Sequence, residues 1–250
     1  GAQIGDSGTG VHLMAGILAA LLQRERTGRG QYVECAMMDC VMNLARVKWR
    51  DHQRVQRGPL SEYSDQDFGD FTPRAGNDSG GGQLGNAIQC KPGGSNDYLY
   101  VVVQERVWKA LAELIGGEEL AADPRFETID VRRQNQGVMW ELLTQFASNH
   151  TKRELMAIFN EINVPCGPVL STMDLANDEH VRQREMYVEL DHPERGKWHN
   201  LGCPIKLSDS PVEIERSPLL GEHTDEILGE VLGYDGGEID GLKEAGAFTR

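Results

Sequence analysis

From Val11 to Leu22 the chain places Val11, Leu13, Met14, Ile17, Leu18, Leu21 and Leu22 three or four residues apart. That spacing puts seven large apolar side chains on one wide face of a helix. A face this broad predicts a buried helix rather than one lying half in water. Gly8-Thr9-Gly10 leads into it and Thr27-Gly28-Arg29-Gly30 stops it. The run is too short for a membrane span and includes His12 and Gly16, so no membrane association and no secretory leader are expected. The chain opens Gly1-Ala2-Gln3-Ile4-Gly5, without Met, straight into this helix. It therefore reads as cut inside a domain, with the partners that bury the helix expected before Gly1.

Beyond the first helix, Gln31 to Met37 alternates like a short strand, and a helix is predicted from Met38 to Arg57. Its apolar side holds Val41, Leu44 and Ala45, and its outer side Arg46, Lys48, Arg50 and Arg54. Residues 58 to 86 are rich in Gly, Asp, Ser and Pro, a length at which loops are often functional. Strands are predicted at Ala87–Lys91 and Tyr98–Gln104, joined by the turn Pro92 to Asp97. Helices follow at Glu105–Ile115, Asp130–Ser148 and Lys152–Ile162, the last with a Thr151/Glu154 capping box. A strand at Val164–Leu170 and a short helix at Thr172–Leu175 come next. A strand pair, Tyr187–Leu190 with Lys197–Ile205, then precedes helices Thr224–Leu232 and Glu238–Ala245. Alternating helices and strands indicate an α/β class.

Composition excludes several functions. The 250 residues carry 39 acidic and 25 basic side chains, a net charge of -14, which argues against nucleic-acid binding. A local basic pocket remains compatible with it. The cysteines, Cys35, Cys40, Cys90, Cys166 and Cys203, form no CxxC pair, so neither a zinc site nor a disulfide framework is expected. They read as inert thiols suited to a reducing cytosol, which makes a cytoplasmic location the expectation.

Chemistry is concentrated in two stretches. Asp6 stands in Ile4-Gly5-Asp6-Ser7-Gly8-Thr9-Gly10. The plain reading is a helix N-cap, although Ser7 and Thr9 cap equally well. The alternative is an ionised nucleophile at a helix N-terminus, with glycines on both sides letting a large substrate come close. The second stretch is Pro73-Arg74-Ala75-Gly76-Asn77-Asp78-Ser79-Gly80-Gly81-Gly82-Gln83. It reads either as a flexible linker or as a mobile loop whose amides meet an oxyanion. It lacks the nucleotide P-loop pattern. His12 and His223 read as structural, and Cys166, between two prolines, has no cationic neighbour to activate it.

Taken together, Ile4 to Met14, Thr27-Gly28-Arg29-Gly30-Gln31, Leu44 to Asp51, the loop Gly76 to Gln83, Val164-Pro165-Cys166-Gly167-Pro168-Val169 and Pro218 to Thr224 resemble class III CoA-transferases. The glycine loop points to their formyl-CoA:oxalate branch. The resemblance covers nearly the whole chain and implies Asp6 as the catalytic nucleophile, forming acyl-aspartyl anhydrides and an aspartyl-CoA thioester. It implies Gly80, Gly81 and Gly82 as substrate-binding, with Ser79 where the family has a further glycine. Coenzyme A enters as a substrate, with no permanently bound cofactor and no metal. An acyl-CoA and a small carboxylate such as oxalate are the implied ligands. The implied fold is a Rossmann-like large domain plus a small α/β domain, paired as an interlocked homodimer. On that basis residues 1–57 belong to the large domain and its linking helix, and 58–170 to the glycine loop and small domain. Residues 171–250 then return to the large domain. Most CoA contacts of the family lie upstream of Asp6.

Two other readings compete. An acyl-CoA racemase of the same superfamily would use Asp6 on an α-proton and need a partner acid, for which His12 is the one nearby candidate. The other is a non-catalytic fragment lacking its CoA-binding half.

Overall fold

A computed structural model of the chain describes residues 2–58, 70–72, 74, 76–77 and 83–248. The chain divides into two units, Gly1–Val169 and Leu170–Arg250.

The first unit opens with three helices, α1 (Ile4–Thr27), α2 (Met37–Leu44) and α3 (Arg46–Arg57). The apolar run sits inside α1, whose 24 residues make it long and apolar enough to cross a membrane by length and composition. Gly28 ends it in the left-handed conformation, φ 69°, and returns its N–H to the Arg24 carbonyl at 2.7 Å. Within this chain no residue of α1 is buried, so residues 2–248 alone do not supply the cover its apolar face is expected to have. Val11, Leu18 and Leu22 are 61%, 59% and 55% exposed. Residues of α2 and Val33 pack against its glycines, and the remaining apolar face stays open.

The segment 28–36 forms no strand, since an extended stretch needs a ladder partner and none pairs with it among the described residues. The helix expected from Met38 to Arg57 breaks at Ala45, whose φ of -84° and ψ of 19° leave the helical region. Arg54, expected on the outer side, is buried with Asp51. The Asp51 carboxylate gathers Arg50 at 3.0 Å, with Lys48 and Arg54 each at 3.8 Å.

The core of the first unit is built around an antiparallel sheet with strand order β1-β2-β3. Its strands are β1 (Leu84–Gln89), β2 (Tyr98–Val103) and β3 (Cys166–Pro168). The central strand Tyr-Leu-Tyr-Val-Val-Val alternates as a half-buried strand must: Leu99, Val101 and Val103 point inward. Leu84 pairs with Val103 and Gln89 with Tyr98, which fixes the hairpin register. Over the inner face lie α4 (Trp108–Ala121), α5 (Ile129–Gln134), α6 (Gln136–Ala147) and α7 (Lys152–Glu161). Leu111, Phe126, Met139, Leu143, Leu155 and Phe159 are fully buried there.

The sequence explains these helix limits. α4 bends at Gly117, φ 72°, where glycine takes the left-handed region at no steric cost. The single helix expected over Asp130–Ser148 divides at Asn135, whose side chain donates to the Val131 and Arg125 carbonyls at 3.0 and 3.2 Å. The Thr151/Glu154 capping box is present, with Thr151 accepting from Glu154 N and Glu154 accepting from Thr151 N. Arg132 crosses the core beneath Trp108.

The second unit has α8 (Thr172–Asn177), α9 (Glu179–Gln183), a hairpin of β4 (Tyr187–His192) and β5 (Gly196–Leu201), α10 (Thr224–Glu226) and α11 (Gly236–Glu244). Ser171, Asp178 and Asp235 cap α8, α9 and α11 through their side chains. Among its described residues only Gly202 and Ile239 are buried. Gly202 is there by necessity, because a Cβ would lie 1.8 Å from the Glu185 carbonyl oxygen. The mixed helix-and-sheet class agrees with the expectation from sequence.

Candidate active site

Asp6 is the third residue of α1, inside its first turn, and Gln3 holds the cap position without a side-chain bond. The cap reading of Asp6, and of Ser7 and Thr9, therefore falls. An N-terminal turn leaves backbone N–H groups without intrahelical acceptors, and the helix dipole stabilises negative charge beside them. Asp6 is exposed, and among the described residues no side chain bonds or pairs with its carboxylate. A carboxylate held at the positive end of a long helix, free of competing protein donors, has the character of an available nucleophile.

The glycines around Asp6 divide into two groups. A Cβ at Gly5 would sit 3.3 Å from Met37 Sδ, and one at Gly8 would sit 2.8 Å from Leu44 Cδ1. One at Gly16 would lie 3.0 Å from Val33. These glycines let the residues after α1 pack closely on it. Gly10 differs. It lies one turn after Asp6, and among the described residues nothing beyond its own turn of backbone stands within 4 Å of where its Cβ would be. The open surface beside Asp6 runs along Gly10.

Other side chains near this turn are engaged. Thr9 Oγ1 donates to the Gly5 carbonyl at 2.6 Å, and His12 Nδ1 donates to the Gly8 carbonyl at 2.7 Å. His12 is thereby tied back to its own helix, which weakens it as the partner acid a racemase would need. Gly80, Gly81 and Gly82 lie outside the described residues.

One feature escaped the sequence reading. Cys35 and Cys40 are not scattered thiols: their sulfurs are 3.1 Å apart. Cys35 also points its thiol at the Thr9 carbonyl, 3.9 Å away. The hydrogen bond with Cys40, then burial, pushes the Cys35 thiol above its ordinary value. The signal available in the sequence was a five-residue separation across a helix start, with Ala36 before α2.

Comparison with known proteins gives the site its context. The model for CoA-transferase family III matches residues 1–224. A protein of Streptomyces coelicolor named formyl-CoA:oxalate CoA-transferase is 53% identical over 99% of this chain and 60% of its own length. A protein of the same name from Rhodopseudomonas palustris is 50% identical over 99% of this chain and 60% of its own length. The chain thus spans about three fifths of the curated relatives it matches. Among solved structures, a CaiB/BaiF family protein from Brucella suis superposes with a TM-score of 0.70 at 25% identity, covering 92% of this chain and 56% of that one. A Mycobacterium tuberculosis protein shares the fold with a TM-score of 0.65 at 19% identity, covering 90% and 55%. A match over residues 1–224, with relatives about half identical along nearly its whole length, places this chain in CoA-transferase family III.

Proposed function

We propose that this protein transfers CoA from a formyl-CoA-type donor to a small carboxylic acid such as oxalate, with Asp6 as the covalent nucleophile. The observation that carries the proposal is the exposed Asp6 carboxylate in the first turn of α1, without a side-chain partner among the described residues, beside the open surface at Gly10. The relatives' shared name supports the choice of donor and acceptor.

The steps balance without a cofactor entering as more than substrate. An Asp6 oxygen attacks the thioester carbonyl and CoA leaves as its thiolate, giving a formyl-aspartyl anhydride. The thiolate attacks the Asp6 carbonyl and formate leaves, giving an aspartyl-CoA thioester. An oxalate oxygen then attacks the Asp6 carbonyl and displaces the thiolate, giving an oxalyl-aspartyl anhydride. The thiolate finally attacks the oxalyl carbonyl, forming oxalyl-CoA and restoring the Asp6 carboxylate. Each tetrahedral intermediate carries an oxyanion that needs donors, and each anhydride needs protection from water. In this reading the loop of Gly80, Gly81 and Gly82 supplies both, as a lid. The division at residues 57 and 170, the interlocked homodimer and a cytoplasmic location belong to the same proposal. So does α1 as a domain helix rather than a membrane span, since both its Gly5 and Gly8 serve protein packing.

The test is chemical trapping in the full-length protein. Incubation with formyl-CoA followed by hydroxylamine should leave a hydroxamate on the peptide bearing Asp6, and Asp6→Asn should give none. An unmodified Asp6 peptide, or normal turnover by Asp6→Asn, would refute the assignment.

A further inference from the structure

The pair Cys35 and Cys40 plays no part in the transfer steps, and the fold brings the two together in a specific way. Cys40 lies in the first turn and a half of α2 and is 4% exposed. Cys35 precedes the helix and is half-buried, the more accessible of the two. Ala36 between them is extended, with ψ 136°, which turns the Cys35 side chain back over the helix start. Their sulfurs lie 3.1 Å apart, so closing to a disulfide, about 2.05 Å, needs an approach of about 1 Å. Cys90, Cys166 and Cys203 are free thiols, none of them within hydrogen-bonding reach of another cysteine among the described residues.

We propose that Cys35 and Cys40 are a redox-sensitive dithiol that closes to an intramolecular disulfide on exposure to low-molecular-weight disulfides. Cys35 is the entry point. Its thiolate attacks one sulfur of the small disulfide, that S–S bond breaks, and one small thiolate leaves and takes up the proton Cys35 gave up. A mixed disulfide stands on Cys35. Cys40, deprotonated in turn, attacks the Cys35 sulfur and the second small thiolate leaves, taking that proton. The protein dithiol is oxidised by two electrons and the small disulfide reduced by two. Closure also removes the S–H that Cys35 directs at the Thr9 carbonyl, one turn along α1 from Asp6. The site would report redox state at the edge of the Asp6 turn, and it stands whether or not Asp6 is a nucleophile.

The experiment uses the full chain and oxidised glutathione, quenched with iodoacetamide and digested with trypsin. Cleavage after Arg29 and Arg46 releases one peptide, Gly30 to Arg46, that carries both cysteines and no others. The expected product is this peptide lighter by two hydrogens and unalkylated, restored to two alkylatable thiols by dithiothreitol. Bridged peptide should exceed Cys35-glutathionylated peptide by roughly tenfold or more in the folded chain. Cys40→Ser should instead accumulate the glutathione adduct on Cys35. Two alkylated thiols after oxidation, or a lasting Cys35 adduct in the unmutated chain, would overturn the proposal. A bridged-to-adduct ratio no higher in the folded chain than in guanidinium would do the same, since nearness in sequence alone would then account for it.

Discussion

Removing the Arg132 side chain should destabilise the first unit markedly. The residue is 1% exposed beneath the sheet helices. Its guanidinium donates to the Phe126 carbonyl at 2.5 Å and to the Glu127 carbonyl at 3.5 Å, pairs with Glu105, and lies 5.1 Å from the Trp108 ring. Burial lowers its pKa while the Glu105 charge opposes that, so the cation is held at a desolvation cost. Arg132→Ala loses charge-assisted hydrogen bonds worth about 1.5–3 kcal/mol and a cation–π contact of about 0.5–2 kcal/mol. Relief of the buried charge offsets part of this, and Glu105, whose side chain is 61% exposed, returns to water without being stranded. The net loss is about 2–4 kcal/mol, shifted below the roughly 3–5 kcal/mol for pairs buried on both sides but overlapping it. At roughly 2–4 °C per kcal/mol for a chain of this length, Tm should fall by about 4–16 °C. Urea titration followed by the fluorescence of the core residues Trp108 and Trp140 measures it directly. A variant within about 0.5 kcal/mol of the parent would refute the view that Arg132 holds Phe126 and Trp108 together.

Other outcomes follow from particular contacts. Glu222 accepts both Arg216 guanidinium nitrogens, at 2.8 and 2.5 Å, and the Leu219 N–H at 2.7 Å, chiefly the former bringing its pKa from 4.5 to about 2. A depressed carboxyl contributes stability above its unfolded value and loses it as pH falls, so Glu222→Gln should remove a pH-dependent step in melting between about 4.5 and 2. An unchanged acid limb would discount the pair. Gly81→Ala should lower turnover far more than Tm if the loop closes over substrate, and equal activity would return the loop to a linker. The open face of α1 should make the 250-residue chain self-associate: Leu18 and Leu22, both more than half exposed, each forgo on the order of 1.5–3 kcal/mol of burial. Size-exclusion with light scattering should show species larger than a monomer, reduced by Leu18→Glu with Leu22→Glu. A monodisperse parent would contradict this.

Much of the β1-β2-β3 sheet and the helices over it was legible because the signals are local. The period-two run Tyr98 to Val103, the Thr151/Glu154 capping box and the turn residues before Tyr98 each specify an element within a few positions. What escaped was what depends on distant partners. Gln31 to Met37 has strand composition, but among the described residues nothing pairs with it. The break at Ala45 has no glycine or proline to announce it. At the site, Asp6 was legible as a carboxylate at a helix start, but not that Gly5 and Gly8 would be spent on packing Met37 and Leu44. The closeness of Cys35 to Cys40 depends on the extended Ala36 before the helix start, which no residue type demands.

The most direct test of the Asp6 proposal follows oxygen atoms. In the sequence of steps above, each turnover sends one Asp6 oxygen out in formate and restores the carboxylate with one oxygen from oxalate. With the full-length protein, formyl-CoA and heavy-oxygen-labelled oxalate, one heavy oxygen should therefore appear in the Asp6 carboxylate, read on its tryptic peptide, and then in released formate. Sustained turnover with an unlabelled Asp6 peptide and unlabelled formate would mean that Asp6 never joins the acyl chain, and the account of this site would fail.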